Sequence, residues 1–378
     1  MKIAYVHPMP VPTAWANTVH VMRMCQSFAR DGHDIRLIVP HGGDQGGRGA
    51  FEFYGVEPIF RIERAWRRFK IPGNSWLFAL SAGTHLLRNR PELVYTRNIP
   101  AAVVATRLGI NTVFEAHGPP SVLGSLDLKN LKILLKSPRL VRLTVISAAL
   151  KEMFLEQLDA PGLGDLIHVA HDGADAGSDW APEDGEAPFT AVYAGSFFEG
   201  RGVEFALEVA RQAPEIRFRL AGCHPDALSE WEARTKAFRN VELVERRPPS
   251  EVPALLASGH VLLAPYQSKV GIGLDTIDIA RYFSPLKMFE YMAAGRPILS
   301  STLPVLQEVL VDGETALLRD GADVQLWVDA LRLLQGDPAL RTRLGTAARH
   351  TLIEHYTWNA RARSVISGLD HTTRNIRA

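Results

Sequence analysis

Short apolar runs separated by longer amphipathic stretches dominate the first half of the chain. Residues 3–6 and 35–39 are almost wholly apolar. A strand buried on both faces of a parallel sheet has no solvent side to carry polar residues, so it reads in this way. Between the two runs, residues 17–30 place Val21, Met24, Cys25 and Phe28 at helical spacing, and Asp31-Gly32-His33 ends the helix. Further apolar runs at 93–95, 112–114, 143–146 and 167–169 alternate with helical patterns at 76–88, 101–108 and 148–158. A second series follows, with strands expected at 190–194, 218–221, 241–244, 261–264 and 298–300. Its helices are expected at 203–212, 251–257 and 285–294. Two such series predict two doubly wound, Rossmann-like α/β domains. The small, acidic, proline-containing segment 176–188 reads as the linker. The expected domains are therefore 1–178 and 179–357, with 358–378 as a tail.

Residues 281–297 form the most informative stretch. Ser284 is a good N-cap and Pro285 suits a first helical position, while Gly295 and Pro297 mark the end. Leu286, Phe289 and Ala293 make an apolar stripe, and Lys287 and Glu290 stand on another face. A helix N-terminus offers unpaired N–H groups and a positive dipole end, which suit a phosphate. Lys287 would add a full charge there, and Glu290 can accept hydrogen bonds from ribose hydroxyls. An ordinary capped helix with a surface Lys–Glu pair has the same pattern.

The sequence Ser284-Pro285-Leu286-Lys287, followed by Phe289-Glu290-Tyr291-Met292-Ala293-Ala294-Gly295-Arg296-Pro297, resembles the donor-binding helix of a known family. That family is the retaining glycosyltransferases of family four, in the subgroup with a Ser-Pro-Leu-Lys signature. The resemblance implies the GT-B fold, with two Rossmann-like domains facing a cleft, and a tail packing back on the first. Many members carry two glutamates seven residues apart. Glu290 matches the second, and Tyr282 stands where the first would be.

Three more segments match in part. Tyr193-Ala194-Gly195-Ser196-Phe197-Phe198-Glu199-Gly200-Arg201-Gly202 is a strand, a glycine-rich turn and a helix start. Taken alone it is a tight connection with a surface arginine. The resemblance gives Arg201 the place of the family's phosphate-binding lysine, and Ser196 that of its arginine. Residues 8–17 fall where relatives have a Gly-Gly loop, so Ala16 and Asn17 become site-wall candidates; Asn17 also suits a helix cap. Glu115-Ala116-His117-Gly118 is similar to the family's Glu-x-His-Gly element, which implies contact of His117 with the donor sugar. A lone histidine at a strand end is equally a structural feature.

Composition narrows the rest. The chain has 378 residues, with 42 basic against 41 acidic side chains, so no global attraction to nucleic acid is indicated. Cys25 and Cys223 lie far apart with no Cys/His metal spacing. No signal peptide or spanning segment is read, and a cytoplasmic protein is expected. The basic, aromatic stretch 61–70 and the stripe Lys129, Lys132, Lys136 are solvated faces or weak contacts with an anionic membrane. Arg97, after the strand at 93–95, is a candidate for lining an acceptor site.

The expected function is transfer of a sugar from a UDP- or GDP-sugar to an acceptor hydroxyl, with retention. His117, Arg201 and Lys287 would be catalytic. Gly195, Ser196, Tyr282, Ser284, Pro285, Leu286, Glu290, Ala16 and Asn17 would bind donor. No metal and no cofactor beyond the donor are expected, and the oligomeric state stays open. A non-catalytic nucleotide-sugar-binding protein and a nucleotide-sugar epimerase are the alternatives.

Overall fold

A computed structural model describes residues 1–13, 15–43, 49–66, 74–177, 188–273 and 277–369. The chain divides into two compact units, one of Met1–His171 and Trp358–Ala378, the other of Asp172–Thr357.

Unit 1 alternates strand and helix throughout. Its elements are β1 (Lys2–Val6), α1 (Ala16–Arg30), β2 (Asp34–Pro40), α2 (Ala50–Tyr54), β3 (Arg61–Ala65), α3 (Asn74–Asn89) and β4 (Leu93–Thr96). They continue with α4 (Ile99–Arg107), β5 (Asn111–Ala116), α5 (Ser125–Leu135), β6 (Leu140–Val145), α6 (Ala148–Leu158) and β7 (Ile167–Val169). The seven strands run in the order β3-β2-β1-β4-β5-β6-β7, and every pairing is parallel. Chain order reverses between β1 and β4, which makes the carboxyl ends of those strands a natural ligand position. Phe78, Ala82 and Leu86 of α3 pack with Ala4, Val6, Ile38 and Val94 of the sheet.

Unit 2 repeats the scheme. Its elements are β8 (Thr190–Ala194), α7 (Val203–Gln212), β9 (Arg217–Cys223), α8 (Leu228–Thr235), β10 (Val241–Glu245), α9 (Val252–Ala257) and β11 (Val261–Ala264). Then come α10 (Leu286–Ala294), β12 (Ile298–Ser301), β13 (Leu317–Arg319), α11 (Val324–Gly336) and α12 (Pro338–Thr351). The parallel order is β10-β9-β8-β11-β12-β13, with reversal between β8 and β11. Strand alternation splits the core into two clusters. Tyr193 joins Phe218, Leu220 and Trp327 on one face, whereas Val192 joins Phe289, Met292 and Ile298 on the other. The last helix, α13 (Trp358–Ile366), belongs to unit 1 and packs on α1.

Several local expectations need correction. Residues 61–65, expected as a basic surface loop, are the edge strand β3, where Arg64 donates to the Val11 carbonyl at 2.8 Å. Residues 67–70 of that stretch lie outside the described residues, as do 178–187 of the expected linker. The division falls after His171 rather than after residue 178. The reason is that Ala174 bridges Thr357, and Arg349 donates to the Ala176 and Gly177 carbonyls, so this segment belongs to unit 2.

Helix α10 starts one residue later than expected, with Pro285 in the cap position. Ser284 does not cap it. Its Oγ instead accepts the Asp172 N–H at 2.9 Å, a long-range partner that no local pattern reveals. The core face of α10 is Met288, Phe289, Tyr291 and Met292, while Leu286 and Ala293 are only half-buried. Gly295 is left-handed, at φ 63°, as a C-terminal glycine should be. Asn17 is not a cap either. Trp15 holds that position, and Asn17 Oδ1 is buried without a partner among the described residues.

Candidate functional site

The carboxyl ends of β8 and β11, at the reversal point of the second sheet, carry a concentration of positive charge. The loop between β8 and α7 is tied to the segment after β11: Gln267 donates to the Gly200 carbonyl and Gly271 to that of Glu199, both at 2.9 Å. Gly195, the first residue of this loop, has the Lys287 ammonium directly against its backbone. A Cβ at position 195 would lie 2.6 Å from Lys287 Nζ, so a side chain there would displace the amine.

Lys287 is not the surface residue of an exposed ion pair. It is 8% exposed, and its Nζ lies 3.9 Å from the Tyr193 ring centre and 4.9 Å from that of Tyr266. Two aromatic faces attract the cation. They give it no hydrogen bond, and Nζ has no hydrogen-bond partner among the described residues. Burial drives its pKa well below the usual lysine range, Arg201 pushes the same way, and Glu290 opposes both. Arg201 donates through Nε to the Gly271 carbonyl at 3.2 Å, with its guanidinium 5.7 Å from the Tyr266 ring centre. Arg246, at the end of β10, donates through Nη2 to Ser196 Oγ at 3.3 Å. None of these three cations forms an ion pair among the described residues. Tyr193 donates to the Ser196 carbonyl at 2.8 Å, and Tyr291 accepts the Ala194 N–H at 2.8 Å, which fixes where the loop leaves the strand.

Of the sequence candidates, this arrangement collects Gly195, Ser196, Arg201, Lys287 and, half-buried one turn along α10, Glu290. Pro285 and Leu286 open that helix, and Ser284 precedes it. Tyr282 is buried, 4% exposed, ahead of the helix. His117, Ala16 and Asn17 lie in unit 1.

In unit 1, His117 follows β5 and belongs to a second charged group of a different kind. Glu115 is fully buried, and four side chains converge on it. Tyr95 and His117 make short hydrogen bonds to it, while His20 Nε2 and Arg361 Nη2 each lie 3.0 Å away. Burial alone would raise the Glu115 pKa, but Arg361, His20 and His117 together hold it well below the usual carboxylate range. Burial and then Arg97 lower His117 to about 4, against an opposing pull from Glu115. The ring is therefore neutral at pH 7. Nε2 carries its hydrogen toward Glu115, leaving Nδ1 as an acceptor. Arg97 has Nη1 buried with no partner among the described residues. His20, Glu115 and His117 also have the composition of a metal-ligand set. The Arg361 guanidinium on the same carboxylate supplies the positive charge that a metal would bring.

Sequence reading missed Tyr193, Tyr266, Arg246, Glu115 as a hub, and Arg361. The Arg246-Arg247 pair after an expected strand was visible, but nothing local shows which arginine turns inward. For Arg361, 246 residues from Glu115, no signal exists in the chain itself.

Comparison with known proteins agrees with this picture. Residues 18–177 match a family model described as Glycosyltransferase Family 4, and residues 201–367 match one described as Glycosyl transferase-like. A D-inositol 3-phosphate glycosyltransferase of Corynebacterium diphtheriae is 31% identical over 131 residues, covering 34% of this chain and 26% of its own length. A GDP-mannose-dependent alpha-(1-6)-phosphatidylinositol monomannoside mannosyltransferase of Mycolicibacterium smegmatis is 26% identical over 156 residues, covering 41% and 39%. The chain thus spans well under half the length of these curated relatives. The Anabaena protein Alr3699/HepE, solved in complex with UDP, superposes with a TM-score of 0.70 at 13% identity, over 98% of this chain and 99% of its own. Among the described residues, no helix is long and apolar enough to cross a membrane. With two parallel-sheet units and a glycosyltransferase model matching each, the chain is built of family 1/4-type glycosyltransferase domains in the GT-B fold.

Proposed function

We propose that this protein is a retaining glycosyltransferase of the Ser-Pro-Leu-Lys subgroup, moving a sugar from a nucleoside-diphosphate sugar to an acceptor hydroxyl. The observation that carries the reading is Lys287: a buried amine without a hydrogen-bond partner, beside Arg201, at the reversal point of a parallel sheet. Two clustered cations that make no ion pair, with Glu290 as the carboxylate acting on Lys287, are costly to hold in a free protein. They become favourable when an anion enters, and most favourable when that anion gains charge. A departing diphosphate does so as its bond to the sugar breaks.

In this reading the bond from the anomeric carbon to the diphosphate oxygen breaks with its electron pair on oxygen. The acceptor oxygen bonds to the same face of the sugar, and its proton passes to the leaving diphosphate. Lys287 and Arg201 hold the phosphates, so no metal is assigned. Glu290 takes the ribose hydroxyls, and in unit 1 the neutral His117 keeps Nδ1 as a hydrogen-bond acceptor. The relatives support UDP or GDP as the nucleotide, since one was solved with UDP and another is named GDP-mannose-dependent. We also infer weak contact with an anionic membrane at the cytoplasmic face through α5. Its exposed Lys129 and Lys132, with Lys136 just past its end, flank Leu126 and Ile133, which are 60% and 42% exposed.

The test is equilibrium binding of UDP and GDP to wild type, Lys287→Ala and Arg201→Ala, followed by transfer assays with product configuration read by NMR. Equal binding by all three proteins removes the site. An inverted product removes the retaining reading. Binding without any transfer leaves the non-catalytic alternative.

A further inference from the structure

Strand β10 forms the outer edge of the second sheet, two strands away from β8. A residue at its end would not be expected to reach the loop after β8. One local irregularity brings Arg246 there. Val244 pairs with Ala221, but the next residue, Glu245, pairs with Cys223, so Gly222 is an extra residue in β9. Gly222 has φ 115°, and a Cβ there would lie 2.1 Å from the Gly195 carbonyl oxygen. Only glycine fits both conditions. The bulge thus lets the β9 end press against the first loop residue after β8. It also resets the register of β10, and the Arg246 N–H then donates to the Cys223 carbonyl at 3.2 Å. Bulges near functional sites commonly re-aim a side chain in this way.

The re-aimed side chain has an incomplete environment. Arg246 is half-buried, and burial lowers its pKa. Its neighbour Arg247 faces solvent and lies 3.8 Å from Glu251. Arg246 has no carboxylate among the described residues. Its one side-chain partner is the neutral Ser196 hydroxyl at 3.3 Å, on the same short loop that carries Gly195 and Arg201. A serine oxygen uses one N–H of a guanidinium that offers five in a planar fork, the geometry suited to phosphate.

We propose that Arg246 is a third phosphate-binding cation of the unit 2 site, delivered to the β8–α7 loop by the glycine bulge in β9. Arg246 takes this role only if unit 2 holds a nucleoside diphosphate, as proposed above. Lys287 and Arg201 then meet the anion from the β11 side of the loop and Arg246 from the β10 side. The Ser196 hydroxyl holds the guanidinium in place before the ligand arrives.

Calorimetric titration of UDP, GDP and inorganic pyrophosphate into wild type, Arg246→Ala, Arg246→Gln and Lys287→Ala proteins tests this. Both Arg246 variants should weaken pyrophosphate and the preferred nucleotide by about tenfold or more, the effect of losing a charged hydrogen bond. Arg246→Gln keeps most of the side-chain bulk, so it carries the test if the alanine variant folds poorly. If Arg246 variants bind both ligands like wild type while Lys287→Ala does not, Arg246 has no part in the site and the donor-site reading stands. If they lose the nucleotide but keep pyrophosphate, the arginine serves the nucleoside, and the phosphate assignment is overturned. If wild type binds none of the three ligands, Arg246 and the donor site fall together.

Discussion

The two units each bury charge at the carboxyl ends of a parallel sheet, and they do it in opposite ways. In unit 1 one carboxylate, Glu115, is surrounded by Tyr95, His20, His117 and Arg361. In unit 2 Lys287, Arg201 and Arg246 gather around one loop, and Glu290 is the carboxylate whose charge acts on Lys287. The charge at the centre of the first cluster is paired within the protein. The second cluster is not so paired, and what it lacks is negative charge. A buried charge must be paired or be costly. Complete pairing marks a group serving the fold, and an incomplete one marks a group kept for a ligand. Stability and binding experiments can separate the two cases, because truncation should move them in opposite directions.

The largest expected effect is on the first cluster. Arg361→Ala leaves Glu115 buried without its cation and should cost about 3–5 kcal/mol of unfolding free energy. Urea denaturation measures it, and adding Glu115→Gln should restore part of the loss. A cost under about 1 kcal/mol, typical of exposed pairs, would break the contrast.

Next comes Lys287→Met. Removing a buried amine without a hydrogen-bond partner should leave the free protein as stable as wild type or more so. The same change should weaken UDP or GDP by roughly ten- to a hundredfold, the range of a charged hydrogen bond. A variant that unfolds easily and binds normally would place Lys287 among the structural groups.

A proton should accompany the nucleotide. The Lys287 pKa is depressed in the free protein, and an arriving diphosphate raises it. Above the free-state pKa, binding therefore takes up protons, and affinity declines as pH rises. Calorimetry in buffers of different ionisation enthalpy counts the protons, and Lys287→Met should abolish their uptake. Uptake that persists in this variant would assign the titration to another group.

The last effect concerns acid. His117 titrates at about 4 when folded and at 6.5 in its ordinary state. Between those values the unfolded chain binds the proton and the folded one does not. Stability should thus fall as pH drops from 6.5 to about 4 and lose nothing further from this group below that. His168, also held at about 4, adds a parallel slope. His117→Gln should flatten the His117 part, as read from melting temperatures across this range. An unchanged slope would show that His117 does not titrate this way in the folded protein.

Much of the architecture was legible from the chain. Apolar runs such as 3–6 and 261–264 fall on β1 and β11, and the stripe of Val21, Met24, Cys25 and Phe28 lies on the buried side of α1. Gly295 declared the end of α10 because only a residue without Cβ adopts that backbone cheaply. These signals are local: periodicity and backbone preference act over a turn or two, and the sequence carries them directly. The charged groups were legible only as candidates. Lys287 and Arg201 stood out by type and position, yet the pattern of 284–290 fits a surface ion pair as readily as a buried amine. Tertiary packing decided that Tyr193 and Tyr266 enclose Lys287. It decided too that Ser284 holds Asp172 rather than its own helix, and that Arg361 reaches Glu115. Desolvation and ion pairing depend on which atoms arrive from distant segments, and no period in the sequence encodes that meeting.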